Sequence, residues 1–258
     1  MALTTPTRVL VRGVPSSFAA ALTGLPLAAP LDPARAQCQH AGYVAALAEL
    51  GLEVLAVPAD EGCPDCCFVE DTAVVAAGVA LVTRPGAPSR RPEVAAIAAV
   101  LARYLPVVTM EAPATLDGGD CLRLGATIYV GRSARTNEAG IAALARAFAP
   151  HGLSVVSVPM PAGVLHLKTV CSPLSDDCML LAEGTIPPAT FVGVRIIAVP
   201  PDEAHAANVL AVGTHALVPH DAPETARRVA EAGWTVHRVD TSELRRADGA
   251  LTCPSILF

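Results

Sequence analysis

A supersecondary unit of two strands and a helix recurs along this chain, and its period constrains the fold more than any other feature. The stretch FVEDTAVVAAGVALVTRPGAPSRRPEVAAIAAVLARY predicts an apolar strand, a glycine turn, a second strand and a loop that enters a helix. LDGGDCLRLGATIYVGRSARTNEAGIAALARAFAPHG repeats that order, so that Asp120 follows Asp71 by 49 residues. Recurrence at roughly 45–50 residues predicts modules that are stacked around an axis or along a line.

Three further stretches supply parts of the same unit. ANVLAVGTHALVPHDAPETARRVAEAGW repeats the order of elements, and its Asn208 lies 88 residues past Asp120, which is nearly two periods. HLKTVCSPLSDDCMLLAEG supplies the opening of another copy, and TRVLVRGVP supplies a strand of a fifth. No low-complexity linker interrupts the modules, so we expect a single domain over residues 1–258.

Helix starts are clearest where capping residues agree with the apolar period. Pro92 and Glu93 are typical of a first helical turn, and an apolar face follows them. Thr136 or Asn137 is suited to cap the next helix, because both residue types accept a backbone hydrogen bond at that position. Pro223 opens a third helix in the same way.

Composition excludes several classes of function. A net charge of −6 at pH 7 argues against a nucleic-acid partner, and an aromatic content of 3% leaves few rings on which bases could stack. The apolar runs are too short to span a bilayer, and the N-terminal residues lack the apolar core of a secretory signal. We therefore expect a cytoplasmic protein that does not bind membranes. The sequence leaves its oligomeric state open.

Three cysteines lie close together in the stretch CPDCCFVEDT, at Cys63, Cys66 and Cys67. This spacing is compatible with a zinc site, a redox pair or simple packing. A structural zinc site takes four ligands, usually as two spaced pairs, and the sequence contains no second CxxC or HxxxH. In a reducing compartment most of the eight cysteines are expected to be free, buried thiols, so we predict no metal site here.

A cysteine, a histidine and a carboxylate are the parts of thiol catalysis, and this sequence offers one candidate for each. Cys253 lies in a polar TCPS stretch within an apolar C-terminal segment, where Pro254 interrupts the strand pattern. His166 lies between two leucines, and the LDGGD stretch places two carboxylates around paired glycines. Each feature has an ordinary alternative, namely a buried thiol, a core histidine and a plain turn.

Two arginines occupy matching places in two repeats. Arg90 and Arg135 each stand just before a predicted helix. If the modules surround an axis, both guanidiniums point toward it, and a pair of arginines there is suited to clamp a carboxylate. Solvated surface arginines are the alternative interpretation.

Six separated blocks together resemble one known family. FVEDTAVV, LVTRPGAPSRR, ATLDGGD, VGRSARTN, HLKTVCS and DGALTCPSILF occur in the order and approximate spacing found in the dimethylarginine dimethylaminohydrolase family. They set the alignment for about three quarters of the chain. The resemblance implies an α/β fold of the pentein type, which is a propeller of five ββαβ-like modules around a pseudo-fivefold axis.

The resemblance also implies roles for ten residues. The nucleophile falls on Cys253, the general acid and base on His166, and the acid that orients the histidine on Asp117. The segment from Ser16 to Gly24 corresponds to a lid, in which the backbone of Leu22 meets the α-amino group of the substrate. The remaining substrate-binding positions fall on Asp65, Glu70, Asp71, Arg90, Arg135 and Asp248, of which the two arginines hold the α-carboxylate.

The activity that this family implies is hydrolysis of Nω-methylated arginines to citrulline and methylamine or dimethylamine, with no cofactor. The implied partner is therefore a small-molecule substrate. Two alternatives remain: an arginine deiminase or another guanidine-modifying hydrolase of the same superfamily, and a non-catalytic ligand-binding relative. A non-catalytic relative is expected to lack the cysteine, the histidine or the orienting acid, whereas this sequence has all three.

Overall fold

The computed structural model describes residues 6–24 and 26–258. Within these ranges the strands form five sheets of three strands each. The strands are β1 (Arg8–Arg12), β2 (Glu53–Val57), β3 (Ala73–Ala76), β4 (Val79–Val82), β5 (Val107–Thr109), β6 (Cys121–Leu124), β7 (Thr127–Arg132), β8 (Ser154–Pro159), β9 (Cys171–Pro173), β10 (Cys178–Ala182), β11 (Arg195–Val199), β12 (Leu210–Val212), β13 (His215–Pro219), β14 (Thr235–Val239) and β15 (Ser255–Leu257).

The described residues also contain five α-helices and several short 3-10 turns. The helices are α1 (Pro33–Glu49), α2 (Val94–Leu101), α3 (Glu138–Phe148), α4 (Pro223–Glu231) and α5 (Ser242–Arg246). The 3-10 turns are Ser16–Ala20, Val69–Thr72, Pro88–Glu93, Gly118–Asp120, Ala149–His151, Leu167–Thr169, Pro188–Thr190 and Pro201–Ala207.

Each sheet has the same topology, an antiparallel pair of strands to which a third strand is added in parallel. The hairpin turns suit this arrangement. Between β3 and β4 the turn residues Ala77 and Gly78 both have positive φ, 49° and 76°, as a tight two-residue hairpin requires. The parallel third strand needs a long crossover, and the helices α1, α2, α3 and α4 supply it in four of the modules.

The fifth sheet is built from both ends of the chain. β15 pairs antiparallel with β1, in the register Val9 with Leu257, and β1 pairs in parallel with β2. The backbone N–H groups of Thr7 and Arg8 both donate to the carbonyl of Phe258, at 3.0 and 2.8 Å. The modules therefore close into a ring instead of extending along a line. The predicted propeller of five ββαβ-like modules is confirmed.

The helix starts agree with the capping chemistry of the sequence. Asn137 is the cap of α3, because its side chain accepts a hydrogen bond from the Gly140 N–H at 2.8 Å. Thr136 instead donates to Asp120 at 2.6 Å. The helices pack their apolar faces against the sheets, and α3 does so through Leu144 and Phe148, which are both fully buried. This packing leaves the axis of the ring to polar side chains.

Around the axis, each module is joined to the next by a buried polar group that accepts a backbone N–H. This connection follows the repeat found in the sequence, since Asp71, Asp120 and Asn208 occupy equivalent places. The bonds are Gly119 N–H to Asp71 (2.9 Å), Leu167 N–H to Asp120 (3.0 Å), Val209 N–H to Ser172 (2.9 Å), Thr252 N–H to Asn208 (2.9 Å) and, closing the ring, Glu70 N–H to the Cys253 carbonyl (3.0 Å).

Two further features concern membrane-spanning helices and the state of the cysteines. Among residues 6–24 and 26–258, no helix is both long and apolar enough to cross a membrane. All eight cysteines are free thiols, and the three of the CPDCC stretch are buried.

Candidate active site

A cavity of about 140 Å³ lies at one end of the ring and brings together most of the residues that the sequence indicated. The 3-10 turns before β3 and β9 and the loop before β15 carry Asp71, His166 and Cys253, while the 3-10 turn before α2 and the loop before α3 carry Arg90 and Arg135. Eight of the ten predicted residues line the cavity, and they are Leu22, Asp65, Asp71, Arg90, Arg135, His166, Asp248 and Cys253. Asp117 lies behind His166, and Glu70 is placed differently.

His166 and Asp117 form a buried pair. The Nε2 atom of His166 lies 2.9 Å from Oδ2 of Asp117, whose side chain is fully buried. The other carboxylate oxygen of Asp117 accepts the Gly86 N–H at 2.8 Å, so its orientation is fixed from both sides. A second acid, Asp71, places Oδ1 at 4.0 Å from the same ring nitrogen. The predicted orienting acid and the predicted base are thus in direct contact.

These acids determine the charge of the imidazole. Burial alone acts to lower the pKa of His166, but the negative charge of Asp71 and the hydrogen bond to Asp117 outweigh it and raise the pKa to about 9. Asp71 responds in the opposite direction. Burial acts to raise its pKa, and the charges of His166 and Arg90 more than offset this, so that the pKa of Asp71 is lowered. Near neutral pH the site therefore holds an imidazolium between carboxylates.

Cys253 is fixed by its backbone at the entrance to the last strand. Its carbonyl accepts the Glu70 N–H at 3.0 Å, and its Sγ accepts the Ala250 N–H at 3.3 Å. Burial raises the pKa of the Cys253 thiol, and the charges of Glu70 and Asp71 raise it further. The cavity thus combines a neutral thiol with an imidazolium, and a cation placed beside the sulfur is needed to favour the thiolate.

The two arginines have different environments. Arg90 is 5% exposed, and it donates to the Asp71 carboxylate, to both Glu93 oxygens and to the Phe68 carbonyl. Most of its donor capacity is therefore engaged within the protein. Arg135 has a side chain that is 23% exposed and places Nη1 at 4.0 Å from the Asp117 carboxylate. Arg135 is the more available of the two for an incoming carboxylate.

Two acids of the cavity hold the segment that the sequence predicts to be a lid. Asp65 accepts the Leu22 N–H at 3.0 Å, and Asp248 accepts the Gly24 N–H at 2.5 Å. Burial raises the pKa of Asp65, although Arg90 and the Leu22 hydrogen bond act against that rise. Asp248 has a φ of 57°, which L residues rarely adopt. The lid backbone and the two carboxylates are therefore in contact over the cavity.

Glu70 does not join the other predicted substrate-binding acids. Its carboxylate accepts from Lys168 Nζ at 2.5 Å and from the Thr252 hydroxyl at 2.7 Å. Glu70 and Lys168 line a second cavity of about 790 Å³, formed by the hairpin turns at the other end of the ring. This geometry gives no support to a direct contact between Glu70 and a substrate, and that contact stays a prediction.

Four further residues line the cavity or hold other residues of the site, and the sequence did not indicate these contacts. Glu93 is 1% exposed and holds Arg90, and burial raises the pKa of Glu93 to about 7 despite that arginine. Phe68 lines the cavity. Lys168 and Asn208 contact the loop of the nucleophile or the groups that hold it. Two of these four residues stand out in the sequence, because Lys168 is its single lysine and Asn208 occupies a repeated position.

Asp71, Asp117 and His166 also form a group whose ligand atoms lie within 4.8 Å of one another. A divalent cation binds neutral imidazole, whereas the acids here raise the pKa of His166 and Arg90 already pairs with Asp71. The positive charge that two buried carboxylates require is thus supplied by the protein's own side chains.

The ring of five modules and a central cavity with a thiol, an imidazole and carboxylates define a pentein enzyme. The sequence profile of the arginine deiminase family matches residues 63–198. A structure of the N-terminal domain of a cyanobacterial arginine dihydrolase has a TM-score of 0.83 and 20% identity, and covers 97% of this chain and 97% of its own; this likeness is one of fold.

Proteins with higher sequence identity to this chain identify the family within this class of enzymes. Curated dimethylarginine dimethylaminohydrolases from Pseudomonas aeruginosa and Streptomyces coelicolor are 38% and 44% identical, and the alignments cover 98% and 84% of this chain and 97% and 84% of theirs. A structure of the Pseudomonas aeruginosa enzyme with citrulline has a TM-score of 0.95 and 35% identity, over 99% of this chain and 100% of its own. The chain belongs to the dimethylarginine dimethylaminohydrolase family.

Proposed function

We propose that this protein hydrolyses Nω-methylated arginines to citrulline and methylamine or dimethylamine. The observation that carries the proposal is the single cavity that combines the Cys253 thiol, the His166–Asp117 pair and charged anchors of both signs. A similar protein of known structure is a dimethylarginine dimethylaminohydrolase in complex with citrulline, which supports the same reaction here.

The substrate has a cationic guanidinium at one end and an amino acid group at the other. Asp71 and Asp248 line the cavity beside Cys253 and are suited to the guanidinium, while Asp65 and the Leu22 backbone are suited to the α-amino group. Arg135, with help from Arg90, is suited to the α-carboxylate. Bringing a cation to the thiol lowers the pKa of Cys253, so that its proton leaves to solvent when the substrate binds.

The mechanism that we propose uses only side chains of the protein. The thiolate attacks the guanidinium carbon and forms a neutral tetrahedral adduct. The imidazolium of His166 donates its proton to the methylated nitrogen, the C–N bond breaks, and a cationic thiouronium stays attached to Cys253.

The second half of the reaction returns the site to its starting state. Neutral His166 takes a proton from water as the oxygen attacks the thiouronium carbon, and the C–S bond breaks to release the thiolate. Citrulline forms as the protonated urea group gives up its extra proton to solvent, the released amine takes up a proton from solvent, and the Cys253 thiolate takes up another when the product leaves. Asp117 keeps the imidazole oriented in both halves.

The direct test is to incubate the purified protein with asymmetric dimethylarginine and to measure citrulline and dimethylamine. We expect both products in equal amounts, and we expect Cys253→Ser to abolish them. A correctly folded wild-type protein that releases no citrulline from any methylated arginine would refute the proposal.

An arginine deiminase is the second candidate, because the family profile that matches residues 63–198 is that of arginine deiminase. The two activities are separated by the leaving group, since arginine releases ammonia and the methylated substrates release an alkylamine. Turnover of arginine without turnover of methylated arginine would favour this alternative and leave the roles of Cys253 and His166 unchanged.

A cytoplasmic location is also part of the proposal. It is supported by eight free thiols, which are typical of proteins in a reducing compartment. Fractionation of cells that express the protein at its natural level tests this location.

A further inference from the structure

Asn208 is a buried polar residue that marks a repeat in the sequence and to which the proposed mechanism gives no role. It lies two residues before β12 and is 1% exposed. Its Oδ1 accepts the Thr252 N–H at 2.9 Å, and its Nδ2 donates to the Thr252 hydroxyl at 3.0 Å and to the Lys168 carbonyl at 2.8 Å. One amide thus makes three hydrogen bonds to two separate loops.

Both of these loops carry a group that the mechanism needs. Thr252 directly precedes Cys253. Lys168 belongs to the 3-10 turn Leu167–Thr169, and His166 is the N-cap residue of that turn. The nucleophile and the general acid lie in different modules, and Asn208 lies in a third module that bonds to both. The side chain therefore fixes the distance between the two loops.

The hydrogen-bond pattern admits only one orientation of this amide. A flipped amide would direct its NH2 group at the Thr252 N–H, which is also a donor, and its oxygen at the Lys168 carbonyl, which is also an acceptor. The Thr252 hydroxyl is fixed as well, since it donates to Glu70 at 2.7 Å and so accepts from Asn208. The contact is a rigid link in which every donor meets an acceptor.

Asp71 and Asp120, which occupy the equivalent places in two other modules, differ from Asn208 in one chemical property. Asp71 and Asp120 accept a backbone N–H of the next module, as Asn208 does, but carboxylates have no N–H to donate. At its own module boundary Asn208 also holds a carbonyl, that of Lys168, as the Ser172 hydroxyl holds the carbonyl of Ala207. Asn208 bonds two separate loops, whereas both bonds of Ser172 go to the single segment 207–209.

We propose that Asn208 is a positioning residue that sets the separation of Cys253 and His166 by bonding Thr252 and Lys168 simultaneously. The proposal rests on the function proposed above for those two residues. Thiol attack and proton donation require the reacting groups to be aligned, and a displacement of about 1 Å costs on the order of 10²-fold in rate. The residues suited to bind the substrate, such as Asp65 and Arg135, are outside this link.

The test compares Asn208→Ala and Asn208→Asp with the wild type. Alanine removes all three bonds, and we expect kcat to fall on the order of 10²-fold with KM little changed. Aspartate has almost the same shape but places a carboxylate oxygen against the Lys168 carbonyl, so we expect a loss of kcat at least as large. Because aspartate fills the same space, it also covers the case in which the alanine variant does not fold.

A matched control separates positioning from loss of stability. Glu203 is buried like Asn208 and accepts two backbone N–H groups, from Glu224 and Thr225, at the start of α4. We expect Glu203→Gln to lower the melting temperature while kcat stays at the wild-type value. A comparable fall in kcat for this variant and for Asn208→Ala at equal loss of melting temperature would overturn the proposal.

A second readout does not depend on the substrate. The rate at which iodoacetamide labels the peptide that contains Cys253, followed by mass spectrometry, reports how the thiol is presented. We expect slower labelling in both Asn208 variants and, in the aspartate variant, a shift of the labelling profile to higher pH, because a further negative charge disfavours the thiolate. If the wild type does not hydrolyse methylarginine, the proposed function fails while this comparison still decides the role of Asn208. Wild-type labelling rates in both variants would refute it.

Discussion

At the scale of single residues, the site is a set of charges whose sum decides which groups are ionised. Two carboxylates, Asp71 and Asp117, lie beside His166, while burial and the charges of Glu70 and Asp71 raise the pKa of the Cys253 thiol. The charge of Asp71 stabilises the imidazolium and destabilises the thiolate at the same time. The nucleophile is therefore predicted to react slowly near neutral pH until a cation enters the cavity, which slows oxidation and alkylation of a catalytic thiol.

The first prediction concerns Asp71 and the reactivity of Cys253. Since the negative charge of Asp71 raises the pKa of the Cys253 thiol, we expect Asp71→Asn to shift the alkylation of Cys253 to lower pH. Labelling of the Cys253 peptide with iodoacetamide over a pH series measures this shift. Asp240→Asn, outside the cavity, is the control and should leave the profile unchanged; identical profiles for Asp71→Asn and the wild type would contradict the argument.

The second prediction concerns His166 and the pH dependence of stability. The folded protein holds the pKa of His166 at about 9, above the ordinary value of 6.5, so the imidazolium stabilises the fold fully below pH 6.5. That contribution, about 3 kcal/mol at 1.36 kcal/mol per pKa unit, is lost as the pH rises through 9. Urea unfolding at several pH values measures it, and the same experiment on His166→Gln should lack this part of the pH dependence.

At the scale of elements, the turn Gly118–Asp120 places the histidine. A methyl group on Gly119 would lie 2.7 Å from His166 Nδ1 and 2.9 Å from Asp71 Oδ1, closer than real contacts allow. Glycine is required here because the backbone passes directly beside the imidazole, while its φ is not positive. The glycines of LDGGD therefore serve close approach and not turn geometry.

The third prediction follows from this contact. We expect Gly119→Ala to push the imidazole away from Asp117 and to lower kcat on the order of 10²-fold. Overpacking should also reduce the free energy of unfolding by about 1–3 kcal/mol. Steady-state kinetics and urea unfolding measure the two effects.

A second glycine serves as the control for that substitution. Gly42 lies in the middle of α1, where an added methyl group meets nothing within 4 Å. We expect Gly42→Ala to raise the free energy of unfolding by about 0.8–1 kcal/mol, since alanine favours the helix, and to leave kcat unchanged. If Gly119→Ala retained full activity as well, the turn would have no role in placing His166.

The elements also show how far the sequence carries a prediction. The hairpin strands of the repeats and α2, α3 and α4 were predictable, because hairpin turns and helix starts are local in sequence and Pro223 and Asn137 mark helix starts where expected. The closing strand β15 was not, since three residues after a proline carry little pattern of their own. Its pairing with β1 depends on a partner more than two hundred residues away.

The same limit applies within the site. The sequence indicated which acids are candidates for the site, but it did not indicate which charged side chain each acid contacts. Glu70 and Asp71 are adjacent and point to different cavities, where Lys168 and His166 are their respective partners. Both residues lie in the 3-10 turn Val69–Thr72, and which cavity each of them faces depends on the tertiary arrangement and not on composition.

At the scale of the whole molecule, the closed ring distinguishes this protein from a linear repeat array. In a linear array each repeat contacts only its neighbours, and the end repeats can unfold by themselves. Here the last strand, β15, lies beside β1, and the Glu70 N–H bonds to the Cys253 carbonyl across the same boundary. We propose that the five modules unfold as one domain, because none of them is an end.

The last prediction tests this closure by moving the ends of the chain. A circular permutant that joins Phe258 to residue 6 through a short flexible linker, and that opens the chain at the exposed residue Val192, keeps all five modules in the ring. We expect it to unfold in one cooperative transition and to retain the catalytic activity of the parent. Deletion of residues 255–258 removes β15 and opens the ring beside Cys253, so this variant should lose both cooperativity and activity. Calorimetry and citrulline release measure the two properties; a truncated chain that unfolds like the parent, or a permutant that unfolds in separate steps, would show that the modules behave as a linear array.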